Sequence, residues 1–312
     1  MVPMLTTSGA ASHVMVPLHL SGNMTGTQDQ GLQSLLNGAV HDAYETILER
    51  LDQQSAQTVL DGEKKLRREL AEILVNAIQQ HTASDKYKDE EVGSNRIYPQ
   101  NYRVRPIEAQ VTDLRKHFPS LQSCHEKLAR RPLPEGAEAW FAIPRWQALA
   151  NTYNDAVEMV IATLATKRRL SNRIIGKLND KFLRECERTK LAQKILSEQQ
   201  EGNDILVVAM QNGMLHRGSS ARRTRVALAG NEYCLGTFAI ACILLTHPER
   251  LSSGEALMID CGGDEYSVRG DYTFDRVPLF DLDIGGIEFS IFYEDRARNL
   301  WGTPTAFLYK LV

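Results

Sequence analysis

Apolar residues in the first quarter of the chain recur at three- and four-residue steps, a spacing that places them on one face of a helix. Asp61 and Gly62 interrupt the pattern, and Asp61 has the chemistry of a helix N-cap. We therefore predict a helical hairpin over residues 31–84, packed on itself, on the rest of the chain or on another copy of the protein. Residues 1–30 lack this period and are predicted to form a mobile tail. The two apolar stripes are Leu32, Leu36, Val40, Ala43, Ile47 and Leu51, and then Leu66, Leu70, Ile73, Leu74, Ala77 and Ile78.

The middle of the chain alternates polar passages with helical patterns. Residues 82–106 are polar and contain the pairs Tyr98-Pro99 and Arg105-Pro106, which predicts a linker over residues 85–105. Pro106 suits the start of a short helix that ends at His117. Residues 140–146 contain two tryptophans and a phenylalanine, which indicates either a wedge in the core or a partner-binding surface. Because a helical period returns from Asn151, we predict that residues 106–200 form a helical region.

Short runs of β-branched and other apolar residues predict strands in the C-terminal third of the chain. The longest apolar run, residues 233–245, is predicted to be one buried helix, capped at or near Asn231. The fold class is therefore α+β, with helical N-terminal and middle regions followed by an α/β C-terminal region over residues 201–312. That region holds a small mixed β-sheet, whose predicted strands are 204–209, 256–260, 277–283, 287–293 and 305–311.

The amino-acid composition indicates a globular protein rather than a disordered or membrane-spanning one. Hydrophobic residues make up 43% and charged residues 24% of the 312, which fits a globular protein with a sizeable core. The five cysteines are scattered without a C-x-x-C pair, a pattern typical of a reducing compartment. The first thirty residues contain no Lys or Arg, and the longest apolar run is shorter than the roughly twenty residues of a membrane span. We therefore predict a soluble, cytoplasmic protein that does not enter a membrane.

Residues 167–194 form the most basic segment, with ten Lys or Arg against three Asp or Glu. On a helix, the cationic side chains would form one stripe and the apolar side chains the opposite one. The segment is therefore predicted to be a basic amphipathic helix. Its charge is either balanced by acidic neighbours in the fold or available to phosphates and other anions. The cationic stripe comprises Arg173, Lys177, Lys181, Arg184 and Arg188, and the apolar stripe Ile175, Leu178, Phe182 and Cys186.

A second basic segment follows the strand predicted at residues 204–209. Gly218, Ser219 and Ser220 would supply backbone N–H groups and hydroxyls to an anion. The segment lacks the G-x-x-x-x-G-K-[ST] pattern of a P-loop. Its arginines, together with the cationic stripe, predict a protein that binds nucleic acid or another polyanion. These loop arginines are Arg217, Arg222, Arg223 and Arg225.

Acidic residues near predicted strand ends lead to an alternative, a metal-dependent enzyme acting on a phosphate-containing substrate. Asp260, Asp264 and Glu265 surround a Gly-Gly turn, and His216 could act as a base. Gathered carboxylates would hold a divalent metal such as Mg²⁺ or Mn²⁺. Asp and Gly are also ordinary turn residues, so a purely structural role stays open. A second alternative is a scaffold protein that forms homo-oligomers through residues 31–84.

Two resemblances add to these hypotheses. The run Gly202-Asn203-Asp204-Ile205-Leu206-Val207, then Leu215-His216-Arg217-Gly218, then Arg222, Arg223 and Arg225, resembles a short part of the phytanoyl-CoA-type 2-oxoglutarate oxygenases. That resemblance implies an iron-binding histidine and an arginine that holds oxoglutarate, but the family's H-x-D or H-x-E pair is absent upstream of His216. The runs 140–146, 216–223, 244–251 and 260–266 resemble uncharacterised bacterial proteins over residues 98–312. This second resemblance implies no activity and assigns no site residue.

Overall fold

The computed structural model describes residues 26–48, 52–64, 66–67, 70, 74, 86–174, 178–284 and 286–309. Most of the predicted tail and half of the second apolar stripe, Ile73, Ala77 and Ile78, lie outside these residues. The chain divides into two units, residues 1–78 and residues 79–312. Among the described residues, no helix is both long and apolar enough to cross a membrane.

The described residues of the first unit include two helices, and the hairpin over residues 31–84 stays a prediction. Helix α1 (Gly26–Leu48) begins inside the predicted tail, and α2 (Gln53–Asp61) follows it. The cap differs from the prediction, because Asp52 rather than Asp61 accepts a hydrogen bond as an N-cap, from the Ser55 N–H at 2.7 Å. Asp61 instead ends α2, and Gly62 follows as the C-cap.

The second unit is the α+β part of the chain, which confirms the predicted fold class. Its described helices are α3 (Ile107–His117), α4 (Tyr153–Lys167), α5 (Glu187–Gln199), α6 (Ala221–Ala227) and α7 (Thr237–Thr246). Its described strands are β1 (Ala139–Pro144), β2 (Leu170–Asn172), β3 (Leu183–Glu185), β4 (Ile205–Gln211), β5 (Glu232–Cys234), β6 (Met258–Asp260), β7 (Asp264–Tyr266), β8 (Arg276–Asp283), β9 (Gly286–Tyr293), β10 (Trp301–Gly302) and β11 (Thr305–Phe307).

These strands form two sheets rather than the single small sheet that was predicted. The first sheet has the order β1-β4-β11-β5 and is antiparallel throughout. The second has the order β10-β6-β8-β7-β3, with β9 beside β8 and β2 beside β9, and it mixes parallel and antiparallel pairs. The strand ending at Gly302 belongs to the second sheet and the strand starting at Thr305 to the first. The last strands therefore connect the two sheets.

Helix α7 lies at the centre of the core. All ten of its residues are buried, since the segment is apolar on every side. It packs against α3, α4 and β1. The prediction of one buried helix is confirmed, but its start is not at Asn231. Residues 232–234 pair with β11 as a strand, so the N-cap is Gly236.

The predicted basic amphipathic helix is wrong for most of its length. Residues 170–172 and 183–185 are the strands β2 and β3, and helix α5 begins only at Glu187. The helical spacing of the arginines indicated a helix, but their partners lie on neighbouring strands. Arg173 pairs with Glu288 on β9, and Arg184 pairs with Glu265 on β7. Lys177 and Ile175 lie outside the described residues.

The passage predicted as a linker is integrated into the second unit. Tyr102 is buried, the N–H of Val92 donates to the Gly218 carbonyl at 2.8 Å, and Ile97 forms a β-bridge with Ala256. The Trp140 wedge is part of strand β1 and of the core, in agreement with the structural interpretation. That strand also departs from the predicted all-helical middle region.

Candidate functional site

His216 is held by an acidic residue that the sequence analysis did not consider. Its Nε2 lies 2.8 Å from Oε1 of Glu232, on strand β5. Glu232 also accepts a hydrogen bond from the Thr305 hydroxyl and one from the Ala229 N–H. Burial favours a raised pKa for Glu232, but the hydrogen bond and charge of His216 outweigh it and hold that pKa below its usual range. His216 is therefore bound to a buried glutamate on the first sheet.

Asp264 holds the start of the buried helix α7. Both of its carboxylate oxygens accept from the Tyr153 hydroxyl at 2.9 Å, and Oδ2 accepts from the Thr237 N–H at 2.6 Å. The latter contact places a carboxylate at a helix N-terminus, where the exposed N–H groups favour negative charge. Burial nevertheless raises the pKa of Asp264 to about 6. This network is closed within the core.

Asp260 and Glu265 belong to two further environments. Asp260 is buried, and among the described residues its Oδ1 has no hydrogen-bond partner. Burial raises its pKa to about 8. Glu265 is partly buried and pairs with Arg184 at 2.7 Å. Within the part of the chain that the structure describes, no three His, Cys, Asp or Glu side chains are arranged to hold a metal ion. The metal-dependent enzyme therefore stays a prediction from sequence.

The loop arginines at 222–225 are engaged in holding the fold together. Arg222 forms an ion pair with Glu90, and Arg223 forms one with Glu91. Arg225 forms an ion pair with Glu294 and donates to the main-chain carbonyls of Gly262 at 2.9 Å and Asp264 at 2.7 Å. Their guanidinium donors thus connect the loop to the 86–91 segment and to the second sheet.

Two of the predicted anion-binding residues remain exposed with no carboxylate partner among the described residues. Lys181 lies in the turn before β3. Arg217 donates to the main-chain carbonyl of Arg96 at 3.1 Å, and its backbone forms a β-bridge with Gly302. The two other described candidates from the basic segment, Arg173 and Arg184, are ion-paired as above.

A cluster of arginines lying on aromatic rings was missed by the sequence analysis. The guanidinium groups of Arg276 and Arg296 lie 3.5 and 4.3 Å from the ring centre of Tyr293, and that of Arg298 lies 3.6 Å from the ring centre of Phe292. We call these five residues the arginine–aromatic surface. Its signal in the sequence is the close spacing of aromatic and arginine residues between positions 292 and 301.

The charges of Arg296 and Arg298 are available to a ligand. Both side chains are exposed, and no described carboxylate lies within ion-pair distance of either. Arg276, by contrast, pairs with Asp275 at 2.6 Å. Stacking on the ring fixes the plane of a guanidinium while leaving its edge donors open. The surface therefore presents two oriented cations that have no ion pair at close range among the described residues, and the charge of Arg298 also acts on Asp260 and Asp281 from a greater distance.

The arginine–aromatic surface borders a cleft of about 550 Å³. Val92 and Gly93 form one side of the cleft, and residues 297–300 form the other. Arg217 lies close to the surface, because its neighbour Gly218 donates to the Trp301 carbonyl at 2.8 Å and Trp301 also faces Arg298. Arg298 lines the cleft, Arg296 belongs to the same surface, and the backbone next to Arg217 is hydrogen-bonded to Trp301.

No family model matches this chain, and comparisons with curated proteins and with solved structures likewise give no match.

Proposed function

We propose that this protein binds a polyanion, with nucleic acid as the best-fitting class, through Arg217 and the arginine–aromatic surface. The observation that carries the proposal is the pair Arg296 and Arg298, exposed, stacked on rings and without a described carboxylate partner. Guanidinium groups of this kind suit phosphate, because they present forked donors at a fixed angle.

The aromatic rings favour a single strand over a duplex. Proteins that bind single-stranded nucleic acid combine cations along a groove with aromatic side chains on which bases stack. Tyr293 is 39% exposed and contacts two guanidinium groups, and the neighbouring cleft offers space for a backbone. Phosphates would then contact Arg296, Arg298 and Arg217, while a base contacts the exposed part of the tyrosine.

The ion-paired arginines contribute to this function indirectly. Arg222 is paired with the largely buried Glu90, and its N–H donates to the Glu294 carbonyl at 2.9 Å. Reversing its charge would leave Glu90 beside a second carboxylate and would destabilise the fold. A loss of binding in such a variant could not be assigned to phosphate contact. The test must therefore use the exposed arginines.

The decisive variant is Arg296→Glu/Arg298→Glu. Its affinity for a fluorescent single-stranded oligonucleotide should fall by at least ~10-fold at low salt, because two phosphate contacts are replaced by repulsion. Lys127→Glu/Arg269→Glu is the matched control, since it makes the same change in net charge at two exposed positions that belong neither to the surface nor to the cleft lining. Fluorescence polarisation measures both. Equal loss in the two variants would show that binding depends on net charge alone and would refute the proposed surface.

Self-association through residues 31–84 is a second candidate, supported by the exposure of apolar side chains on α1. Val40, Tyr44 and Ile47 lie at four- and three-residue steps on this helix, and each is about half exposed. A face of this kind is typical of a helix that packs against another helix. Replacing Val40 and Ile47 with Glu should lower the oligomeric mass measured by light scattering. A chain that is monomeric before substitution would refute this candidate.

A further inference from the structure

A second cavity, of about 720 Å³, lies in the same unit and takes no part in the proposed polyanion binding. It is lined by side chains from the segment after Arg96, from the start of β1 and from the loop after β4. This volume is in the range of small-molecule sites. Its lining combines one carboxylate and one guanidinium with apolar and aromatic groups: Ile97, Tyr98, Tyr102, Arg103, Glu138 and Met214.

The carboxylate in the lining has a fixed orientation. The Tyr98 hydroxyl donates to both oxygens of Glu138 at 2.8 and 2.9 Å, and the Asn212 N–H donates to Oε2 at 3.1 Å. The Met214 N–H in turn donates to the Tyr98 oxygen at 3.3 Å. Burial, and then the charge of Glu138, raise the pKa of Tyr98, so its hydroxyl stays a donor. A carboxylate has about four acceptor positions, so Glu138 keeps capacity for a ligand's ammonium group.

The guanidinium in the lining is also only partly engaged. Arg103 uses Nη1 to donate to the main-chain carbonyls of Gln100 at 2.8 Å and of Tyr102 at 2.6 Å. Among the described residues its Nε and Nη2 have no partner. An arginine held in this way presents the two parallel donors that a carboxylate accepts. The cavity lining thus contains both an acceptor group, on Glu138, and a donor group, on Arg103.

A buried cation beside the ring of Tyr98 determines which ligand charge fits. Arg250 is fully buried, its guanidinium lies 4.8 Å from the Tyr98 ring centre, and its Nε has no described partner. It donates to the carbonyls of Leu257 and Asn212, and no described carboxylate lies within ion-pair distance. Glu138 stabilises this charge through the aromatic layer. A ligand with only an ammonium group would add positive charge beside Arg103 and Arg250, and one with only a carboxylate would face Glu138.

We propose that this cavity binds a small zwitterion of the α-amino acid class. Its ammonium group contacts Glu138, its carboxylate contacts Arg103, and its apolar side chain lies against Tyr98, Ile97 and Met214. The ligand's two charges then meet opposite charges without changing the net charge of the site. This proposal does not depend on the polyanion surface.

The test is calorimetric titration of the full chain with a panel of apolar amino acids, L-phenylalanine, L-leucine and L-methionine. Phenethylamine and 3-phenylpropionate, which each keep one of the two charges of phenylalanine, serve as comparison ligands. At least one amino acid should bind saturably, and at least ~10-fold more tightly than either single-charge analogue, because each analogue loses one charge-assisted contact. If none binds at concentrations up to ~10 mM, or if an analogue binds as tightly as the amino acid, the proposal is wrong.

Two variants assign the contacts. Glu138→Gln keeps the shape and one acceptor oxygen, and should weaken the amino acid and phenethylamine but not 3-phenylpropionate. Arg103→Gln should weaken the amino acid and 3-phenylpropionate but not phenethylamine. Glu135→Gln and Arg269→Gln, at exposed positions outside the cavity lining, are the matched controls and should change nothing. Thermal unfolding confirms that the variants are folded. Amino acid binding that is unaffected by both cavity variants would place the ligand elsewhere and overturn the assignment.

Discussion

Three carboxyl groups in the second unit are costly to ionise. Burial raises the pKa of Asp260 and of Glu185 to about 8, and that of Asp264 to about 6. Each group is protonated in the folded protein at pH values where the unfolded chain has released the proton. The folded state therefore binds more protons between about pH 4 and pH 8, and stability falls as the pH rises through this interval.

Asp260→Asn tests this linkage. The variant removes a carboxylate that lacks a described partner for Oδ1, so it should be more stable than the wild type at pH 8.5, by on the order of 2 kcal/mol. The advantage should shrink towards pH 5, where Asp260 is protonated in the fold. Chemical denaturation at both pH values measures it, with Asp283→Asn, an exposed position in the same sheet, as the control. An effect of equal size at both pH values would contradict the raised pKa.

At the scale of elements, the start of α7 and the turn between β6 and β7 are packed backbone against backbone. A Cβ atom at Gly263 would lie 2.5 Å from the Gly236 nitrogen and 2.6 Å from the Cys234 carbonyl oxygen. A Cβ atom at Gly236 would lie 2.5 Å from Oδ1 of Asp264. These glycines allow Asp264 to reach the N-terminus of the helix.

Gly263→Ala should therefore be strongly destabilising, by about 3 kcal/mol or more, since the neighbouring atoms are main chain and cannot rotate away. Gly254→Ala is the matched control, because a Cβ atom there meets nothing within 4 Å. The free energy of unfolding from denaturant titration distinguishes the two. Similar values for both variants would mean that the close approach at Gly263 is relieved at little cost.

The elements that sequence predicts well are those whose own residues determine them. Strands β8 and β9 and the apolar helix α7 are of this kind, because β-branched runs and an all-apolar segment indicate one structure. Residues 170–172 and 183–185 were misassigned because a helical spacing of charges fits this part of the sequence equally well. The structure of β3 and β2 depends on pairing with β7 and β9, which lie about eighty residues or more further along the chain. Such partners cannot be read from a local pattern.

The candidate site shows the same limit at the scale of the whole molecule. The loop arginines were recognised from sequence, but their pairing with Glu90, Glu91 and Glu294 depends on segments from opposite ends of the unit. The positive charges that are concentrated in this loop are therefore neutralised by glutamates that are distant in sequence. Arg296 and Arg298, whose charges are available to a ligand, follow acidic residues in the sequence. The local net charge is therefore low, and the segment did not stand out as basic.

The division into two units predicts that the two candidate functions can be separated. Both proposed ligand sites lie within residues 79–312, and the exposed apolar face lies on α1. A chain of residues 79–312 should fold, because the core residues all belong to it, and should bind oligonucleotides with unchanged affinity. It should also lose any self-association seen in the full chain. Light scattering and fluorescence polarisation check both expectations, and loss of oligonucleotide binding by a folded truncated chain would contradict them.

The most direct test of the central claim is the salt dependence of oligonucleotide binding, compared between the wild type and Arg296→Gln/Arg298→Gln. For a single strand, the logarithm of the binding constant falls with the logarithm of salt concentration by about 0.7 for each phosphate contact. Removing two contacts should therefore reduce the slope by about 1.4, whereas the control Lys127→Gln/Arg269→Gln should leave it unchanged. A slope that stays the same without Arg296 and Arg298 would show that the arginine–aromatic surface does not contact phosphate.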